Sequence, residues 1–241
     1  MRPLRLARVS LIVVVTLAAL ALAADRVAVR LVQAEAEDRI RQEYDLSKSP
    51  EITIRGFPFL TQVLHRRFGR VDVNLSGVRA AGEGDSSLTL VEAKARLYDL
   101  KVSGGSWDHA TAARATGDVR FSYADVGRAI PGNVVRVSYG GKDLAGQDQV
   151  KATVGVTFLG QRIENSATGT ITVENGDTIH LRATNIEGAD AVPGLSDYLR
   201  ERIDYEWKID DLPSGIELKD VQVNRDGIAI SGKGTNVELS R

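Results

Sequence analysis

The chain has 241 residues, of which 43% are hydrophobic and 26% charged, so it can bury a core in one large domain or two small ones. Its net charge is −1, and it becomes −4 if residues 1–24, which hold three arginines and no acidic residue, are removed; this balance argues against a general nucleic-acid binder. The absence of cysteine excludes disulfides, thiolate metal ligands and a cysteine nucleophile.

The N-terminus has the layout of an export signal. Arg2, Arg5 and Arg8 precede an apolar run from Val9 to Ala24, which is long for a signal core and short for a membrane span of about 20 residues. A buried core helix would give the basic flank no role. We therefore expect residues 1–24 to be either a signal peptide or an N-terminal membrane anchor. Residues 25–241 would then form one domain on the outer, periplasmic side of the cytoplasmic membrane, in the cell envelope.

A long amphipathic helix is predicted from Asp25 to Tyr44. Apolar residues recur at four-residue steps, as expected for a helix that packs one face on a sheet: Ala28, Val32, Ala36, Ile40 and Tyr44. Lys48-Ser49-Pro50 then ends the helix.

The next stretch combines a strand, a short helix and a second strand. Glu51–Arg55 alternates as a strand, and Gly56-Phe57-Pro58 breaks it, with proline suited to open a helix. Apolar side chains then recur at helical spacing and are followed by basic residues before the next strand begins at Arg70. An apolar patch rimmed by arginine suits a lipid with an anionic head group, although the same pattern fits a piece of hydrophobic core. The residues are Phe59, Leu60, Val63, Leu64, His65, Arg66 and Arg67.

From residue 70 to residue 190 the apolar pattern has a period of two, which is typical of antiparallel strands with one wet and one dry face. The apolar parity changes between Leu97 and Tyr98, which predicts a β-bulge near Leu97. Turns are predicted at four glycine-containing sites: Gly104-Gly105, Gly140-Gly141, Leu159-Gly160-Gln161 and Asn175-Gly176-Asp177.

Two more helices and a closing pair of strands complete the pattern. The helices are predicted over Tyr123–Ile130 and Leu195–Tyr205, and the strands over Glu217–Val223 and Ile228–Gly234. The prediction is an α+β fold in which a long, curved antiparallel sheet wraps around or against the N-terminal helix and a second helix in the C-terminal third.

Catalytic motifs are missing from the sequence. There is no nucleophile elbow, phosphate loop or dinucleotide fingerprint, and the three histidines lack metal-ligand spacing. Asp108-His109 has no serine partner, and Asp210-Asp211 reads best as a solvated turn. We therefore predict a protein that is not an enzyme and uses no metal or cofactor.

The inward side chains of the strands are mostly Ala, Val and Gly, with few large fillers. Small residues on a curved sheet leave room that either helices or a ligand must fill, because protein interiors are close-packed. A tubular, mostly apolar cavity for acyl chains would fit this pattern. A core filled by the protein itself fits it as well.

Three parts of the chain carry a family likeness: Ile54–Leu64 with its Gly-Phe-Pro-Phe-Leu segment, Ser122–Val126, and the ending from Leu212-Pro213-Ser214-Gly215-Ile216 to Asp226-Gly227-Ile228. In these parts the chain resembles the LmeA-like phospholipid-binding proteins. The resemblance implies an envelope location, phospholipid binding without catalysis, and a tubular lipid-binding fold like that of bactericidal/permeability-increasing protein.

Three hypotheses follow. In the first, the domain holds or shuttles a diacyl phospholipid in support of envelope glycolipid assembly, while Arg66, Arg67 and Arg70 meet its phosphate or the membrane surface. In the second, it is an envelope scaffold without a lipid cavity that recruits a glycan-assembly enzyme. In the third, it is an envelope hydrolase that uses Asp108 or His109. The lipid-contacting residues expected under the first hypothesis are Phe57, Phe59, Leu60, Val63, Leu64, Val91, Leu97, Phe121, Val154, Val156, Phe158, Leu199 and Ile203.

Overall fold

A computed structural model describes residues 3–43, 46, 48–81, 87–103, 109–129, 134–158, 161–187, 204–209 and 212–240. It confirms the α+β class, with a long N-terminal helix and antiparallel sheet. The helices and strands of the described residues are α1 (Pro3–Glu43), β1 (Glu51–Arg55), α2 (Phe59–Leu64), β2 (Arg67–Ala81), β3 (Ser87–Val102), β4 (His109–Phe121), α3 (Tyr123–Ala129), β5 (Val134–Lys142), β6 (Asp148–Phe158), β7 (Gln161–Glu174), β8 (Thr178–Ile186), β9 (Tyr205–Lys208), β10 (Ile216–Asn224) and β11 (Gly227–Ser240).

The strands divide into two sheets. The first has six strands in the order β1-β2-β3-β4-β11-β10, and the second has five in the order β5-β6-β7-β8-β9. Neighbouring strands are antiparallel throughout, as the alternating pattern predicted.

The core of the six-stranded sheet is built on α1. The predicted helix face packs there, since Ala28, Val32, Ala36 and Ile40 contact a cluster of buried residues from α1, α2 and five strands. A polar contact fixes the helix to the sheet edge, because Glu37 Oε1 accepts a hydrogen bond of 2.9 Å from the Ile52 N–H. The buried cluster is Val29, Ile52, Phe59, Phe68, Val71, Leu100, Ala110, Ala112, Ala115 and Val237.

A line of unpaired residues crosses four strands of this sheet. The ladders skip Gly69, Asp99, Ala113 and Asn236, which lie side by side, and then resume in the same register. Asp99 and Asn236 both have φ of 51°, a left-handed conformation that Asp and Asn tolerate better than most residues. Each skipped residue shifts by one position the alternation of side chains between the two faces of the sheet, and this happens at the same place in all four strands.

This break explains the parity change seen in the sequence. Leu97 and Leu100 both pack on the core although they are three residues apart, because Asp99 lies between them. The predicted bulge near Leu97 is therefore wrong: the register of β3 with its neighbours does not shift there. A register shift occurs instead between Leu90 and Glu92 in the pairing of β3 with β4.

A second, smaller core joins the two sheets. Val150 of the five-stranded sheet packs with Val223 and Ile228 of the six-stranded sheet, and Tyr123 of α3 contacts this cluster. The Tyr123 hydroxyl donates a hydrogen bond to the Asn224 carbonyl. Burial, with the nearby acidic groups, raises the pKa of Tyr123 to about 12, so the hydroxyl remains a donor at neutral pH.

The predicted turns have mixed outcomes. Asn175-Gly176 forms the β7–β8 hairpin, with φ of 54° and 77°, as predicted. Gly140-Gly141 is not a turn, because it lies inside β5 at a register shift and the chain reverses further on, around Asp143. The turns at Gly104-Gly105 and Leu159-Gly160 lie outside the described residues.

The helix predicted over Leu195–Tyr205 falls mostly outside the described residues. Its last residue, Tyr205, is instead the first residue of β9 and pairs with Leu181. Asp204 accepts a hydrogen bond of 2.6 Å from the Ala183 N–H, which places the entry to β9 beside β8.

Within the part of the chain that the structure describes, α1 alone is long and apolar enough to cross a membrane. Its apolar side chains before Asp25 are largely exposed, so this half of the helix has no protein core around it. A signal sequence has the same features. The exposed residues are Leu11, Ile12, Val13, Val14, Val15, Leu17, Leu20 and Leu22.

Candidate functional site

The short helix α2 is joined to α1 by a buried carboxylate. Asp25 is 3% exposed, and its Oδ1 accepts a hydrogen bond of 2.9 Å from the Leu60 N–H in the first turn of α2. Arg26 donates to Oδ2 at 2.5 Å. Because Pro58 has no side-chain hydrogen bond to this helix, Asp25 supplies the cap from 35 residues away. The contact fixes α2 at the point where the apolar run of α1 ends.

Other contacts hold α2 in one orientation. Phe59 is 1% exposed and packs against Phe68, with their ring centroids 6.4 Å apart. The Gln62 side chain accepts a hydrogen bond of 3.0 Å from the Gly69 N–H, and Thr61 Oγ1 donates to the Pro58 carbonyl. One aromatic ring therefore anchors α2 to the core, while its neighbouring apolar side chains point elsewhere.

Four of those side chains form an exposed apolar cluster, which we call the α2 patch. It consists of Phe57, Leu60, Val63 and Leu64, which are 61%, 47%, 43% and 80% exposed. The guanidinium of Arg26 lies 5.3 Å from the centroid of the Phe57 ring. A clustered apolar surface with a cation beside it is typical of an interaction site.

The three predicted head-group arginines differ in their surroundings. Arg66 has φ of 49°, and its carbonyl accepts a hydrogen bond from the Val102 N–H. Arg67 lies 3.4 Å from Asp99, and both side chains are about half exposed. Such a contact contributes little to stability and leaves the guanidinium within reach of solvent.

Arg70 is more firmly engaged. Its Nε lies 2.6 Å from Asp72 and its guanidinium carbon 5.5 Å from the centroid of the Tyr98 ring. Arg55 contacts the other oxygen of Asp72 at 2.5 Å. Burial acts to raise the pKa of Asp72, but the two arginines outweigh it and the pKa is lowered. Of the three arginines, Arg70 is thus the one held within the sheet.

The remaining predicted lipid-contacting residues do not gather at α2. Leu97 packs on the α1 core, Phe121 is buried at the end of β4, and Val91 is exposed at the register shift of β3. Three further residues belong to β6, with side chains outside the described part, and two lie wholly outside it. The β6 residues are Val154, Val156 and Phe158, and the others are Leu199 and Ile203.

Two further polar features involve the five-stranded sheet: a cleft and a histidine between two carboxylates. A half-open cleft of about 570 Å³ lies between β7 and β10, and Asp148, Thr170, Lys219 and Gln222 are among its lining residues. This polar wall does not suit acyl chains.

On the neighbouring strands, His180 Nδ1 lies 2.9 Å from Glu174, and Nε2 lies 4.0 Å from Glu206. The hydrogen bond with His180 lowers the pKa of Glu174. Since each ring nitrogen faces a different carboxylate, the histidine bridges β7 and β9. The predicted turn at Asp210-Asp211 and Asp108 of the hypothetical dyad lie outside the described residues, and His109 is exposed at the start of β4.

Comparison with known families identifies the chain. A model of the LmeA-like phospholipid-binding family matches residues 23–233. The chain belongs to this family. The match begins two residues before Asp25, so it includes the capping carboxylate and α2 but not most of the apolar run. No curated protein and no solved structure shows significant similarity to the chain.

Sequence reasoning missed Asp25. The signal was present, because Asp25 is the first acidic residue after a long apolar run, but its partner lies 35 positions away and leaves no local pattern. Helical spacing also grouped Phe59 with the α2 patch, whereas the structure separates them by burial.

Proposed function

We propose that this chain is a non-catalytic phospholipid-binding protein of the cell envelope that holds or shuttles a diacyl lipid. It would lie outside the cytoplasmic membrane, with residues 1–24 as its export signal or anchor. Membership of a phospholipid-binding family is the observation that carries the proposal. The α2 patch supports it, because an apolar surface beside arginines suits both parts of a phospholipid.

The five-stranded sheet offers a wall for the acyl chains. Four directly paired residues form a buried apolar row across it: Val137, Ala152, Ala167 and Ile186. The two central members are small alanines; because the row is buried in this structure, a lipid would have to displace the protein groups that cover it. Each methylene buried there would contribute about 0.8 kcal/mol, so two acyl chains can supply affinity without polar specificity.

The six-stranded sheet is a poorer candidate for this wall. Phe59 and Leu97, which we expected to contact lipid, pack there with α1. We therefore place the acyl chains along the alanine row. The α2 patch packs at the other end of β4 and β11 from the junction with the five-stranded sheet, so it would meet lipid separately, with Arg66 and Arg67 near a phosphate.

Enlarging one alanine tests this placement. In Ala152→Leu, the added carbons enter space that we assign to lipid, so bound phospholipid should fall several-fold while the melting temperature is kept. Uptake of a fluorescent phosphatidylglycerol by the full chain in detergent, followed by gel filtration, measures the first quantity. Asn185→Leu, at an exposed position of β8, is the matched control and should change neither.

A closed core predicts the opposite result. Overpacking a filled interior costs about 1–3 kcal/mol, so Ala152→Leu would lower the melting temperature and leave lipid uptake as it was. That outcome would refute the proposed wall.

An envelope scaffold is the second candidate. The observation that favours it is the covered inner face of the six-stranded sheet, where α1 and its contacts form a continuous core. Under this alternative the wild-type chain would retain no phospholipid, and the α2 patch would bind a glycan-assembly protein.

A further inference from the structure

We propose that the α2 patch docks into the surface of the same lipid bilayer that α1 crosses, so that two adjacent contacts hold the domain against the membrane. This inference rests on one part of the proposed function, the placement of the apolar run Val9–Ala24 in a membrane. It adds an interaction surface, its partner and the orientation of the domain.

The link between α1 and α2 sets the position of the patch. Ala24 is the last residue of the apolar run, and the next residue, Asp25, accepts the hydrogen bond from Leu60. Helix α1 continues without interruption through this point, from Pro3 to Glu43. An α-helix rises 1.5 Å per residue, so α2 begins within a few ångströms of the level where the hydrocarbon region would end.

The exposed side chains of α2 suit that level. Phe57, Leu60, Val63 and Leu64 are exposed, whereas Phe59 on the same segment is buried in the core. Apolar side chains on a short helix at the membrane boundary can enter the head-group and upper acyl region. There they no longer contact water, which lowers the free energy of the bound state. The patch therefore begins beside the residue that directly follows the apolar run of α1.

The charge around the patch complements a phospholipid surface. The sequence from Gly56 to Val71 contains no acidic residue, and Arg66, Arg67 and Arg70 lie within it. Asp99 contacts Arg67 and Asp72 contacts Arg70, so these three arginines and two carboxylates keep a net positive charge. Arg26 adds a half-exposed guanidinium from α1, beside the Phe57 ring. Phosphates of anionic lipids would meet cations at the level of α2, and the apolar side chains would lie just beneath them.

The absence of native cysteine permits a direct test. Single-cysteine variants Leu64→Cys and, as a matched control, Leu144→Cys are each labelled with a fluorophore. Both positions are highly exposed, but Leu144 lies in the turn between β5 and β6 of the other sheet. The full chain is reconstituted into vesicles of phosphatidylcholine and phosphatidylglycerol that contain a lipid-borne spin-label quencher.

The proposal predicts quenching at position 64 that is several-fold stronger than at position 144 and independent of protein density. Equal quenching at the two positions would overturn it, and so would a density-dependent signal, which would indicate a second copy on the patch. A mature chain whose mass shows cleavage within the apolar run Val9–Ala24 would also overturn it, because α1 would no longer span the bilayer.

A second variant tests the patch itself. Leu64→Asp, with the label introduced as Phe57→Cys, should reduce quenching to the level of position 144. Unchanged quenching in Leu64→Asp would overturn the docking surface. Failure of the wild-type chain to take up lipid, with position 64 still quenched, would refute the proposed function and leave the docking surface standing.

Discussion

Two phenylalanines separated by one proline should have opposite roles. Phe59 is 1% exposed in the α1 core, and Phe57 is 61% exposed in the α2 patch. Removing a buried phenyl ring leaves a cavity, so Phe59→Ala should lower the free energy of unfolding by about 3–5 kcal/mol. Phe57→Ala removes an exposed ring and should change it by no more than about 0.5 kcal/mol.

Urea denaturation of the full chain in detergent, followed by circular dichroism, measures the difference. With a urea dependence of about 1–3 kcal/mol per M, Phe59→Ala should lower the midpoint by roughly 1–2 M or more. Phe57→Ala should unfold at the wild-type midpoint.

In a membrane assay, Phe57→Ala should have the larger effect of the two variants. Quenching of a label at position 64 by lipid-borne spin labels should fall in Phe57→Ala, because that ring is part of the α2 patch. Equal midpoint shifts for the two variants, or a larger shift for Phe57→Ala, would refute the assigned packing of α2.

Two further predictions concern the sheet. Asp72 has a lowered pKa in the folded state, so its ion pairs stabilise the fold above its unfolded pKa of about 3.9, and this contribution is lost as pH falls through the lower folded pKa. The midpoint difference between wild type and Asp72→Asn should therefore be present at pH 6 and vanish in acid; a difference that persists unchanged at pH 2 would contradict this. Gly227→Ala should be strongly destabilising, because φ is 146° and a Cβ atom would lie 2.1 Å from the Phe121 carbonyl oxygen, whereas a Cβ at Gly69 meets nothing within 4 Å. Thermal melts of Gly227→Ala and Gly69→Ala should differ by several degrees, and equal melts would be evidence against this close approach.

The elements that could be predicted from the sequence are those with local, periodic signals. The four-residue steps from Ala28 to Ile40 predicted the face of α1 that packs on the sheet, and Asn175-Gly176 predicted a hairpin. Both signals act through neighbouring residues, so one sequence suffices to read them.

Features that depend on contacts between residues far apart in the chain could not be predicted from the local sequence pattern. The parity change near Leu97 was visible, but the aligned break that includes Asn236 involves strands from both ends of the chain. The glycines at 140 and 141 carried a turn signal that the Asp143 side chain overrode, since its Oδ1 accepts hydrogen bonds from the N–H groups of Ala145 and Gln147.

The candidate site was predicted in part for the same reason. Helical spacing identified the apolar residues of α2 but could not say which of them face the core, because that depends on Phe68 and on the capping contact from Asp25. The arginines were equally visible, whereas the engagement of Arg70 with Asp72 follows from their placement on the same face of β2.

Native mass spectrometry of the full chain, released from detergent, tests lipid binding most directly. After delipidation and incubation with a defined phosphatidylglycerol, the protein should gain the mass of one diacyl phospholipid per chain. It should lose that mass only at collision energies that also begin to unfold it. A chain that gains no lipid, or gains a variable number that all dissociate at low energy, would contradict the lipid-holding function.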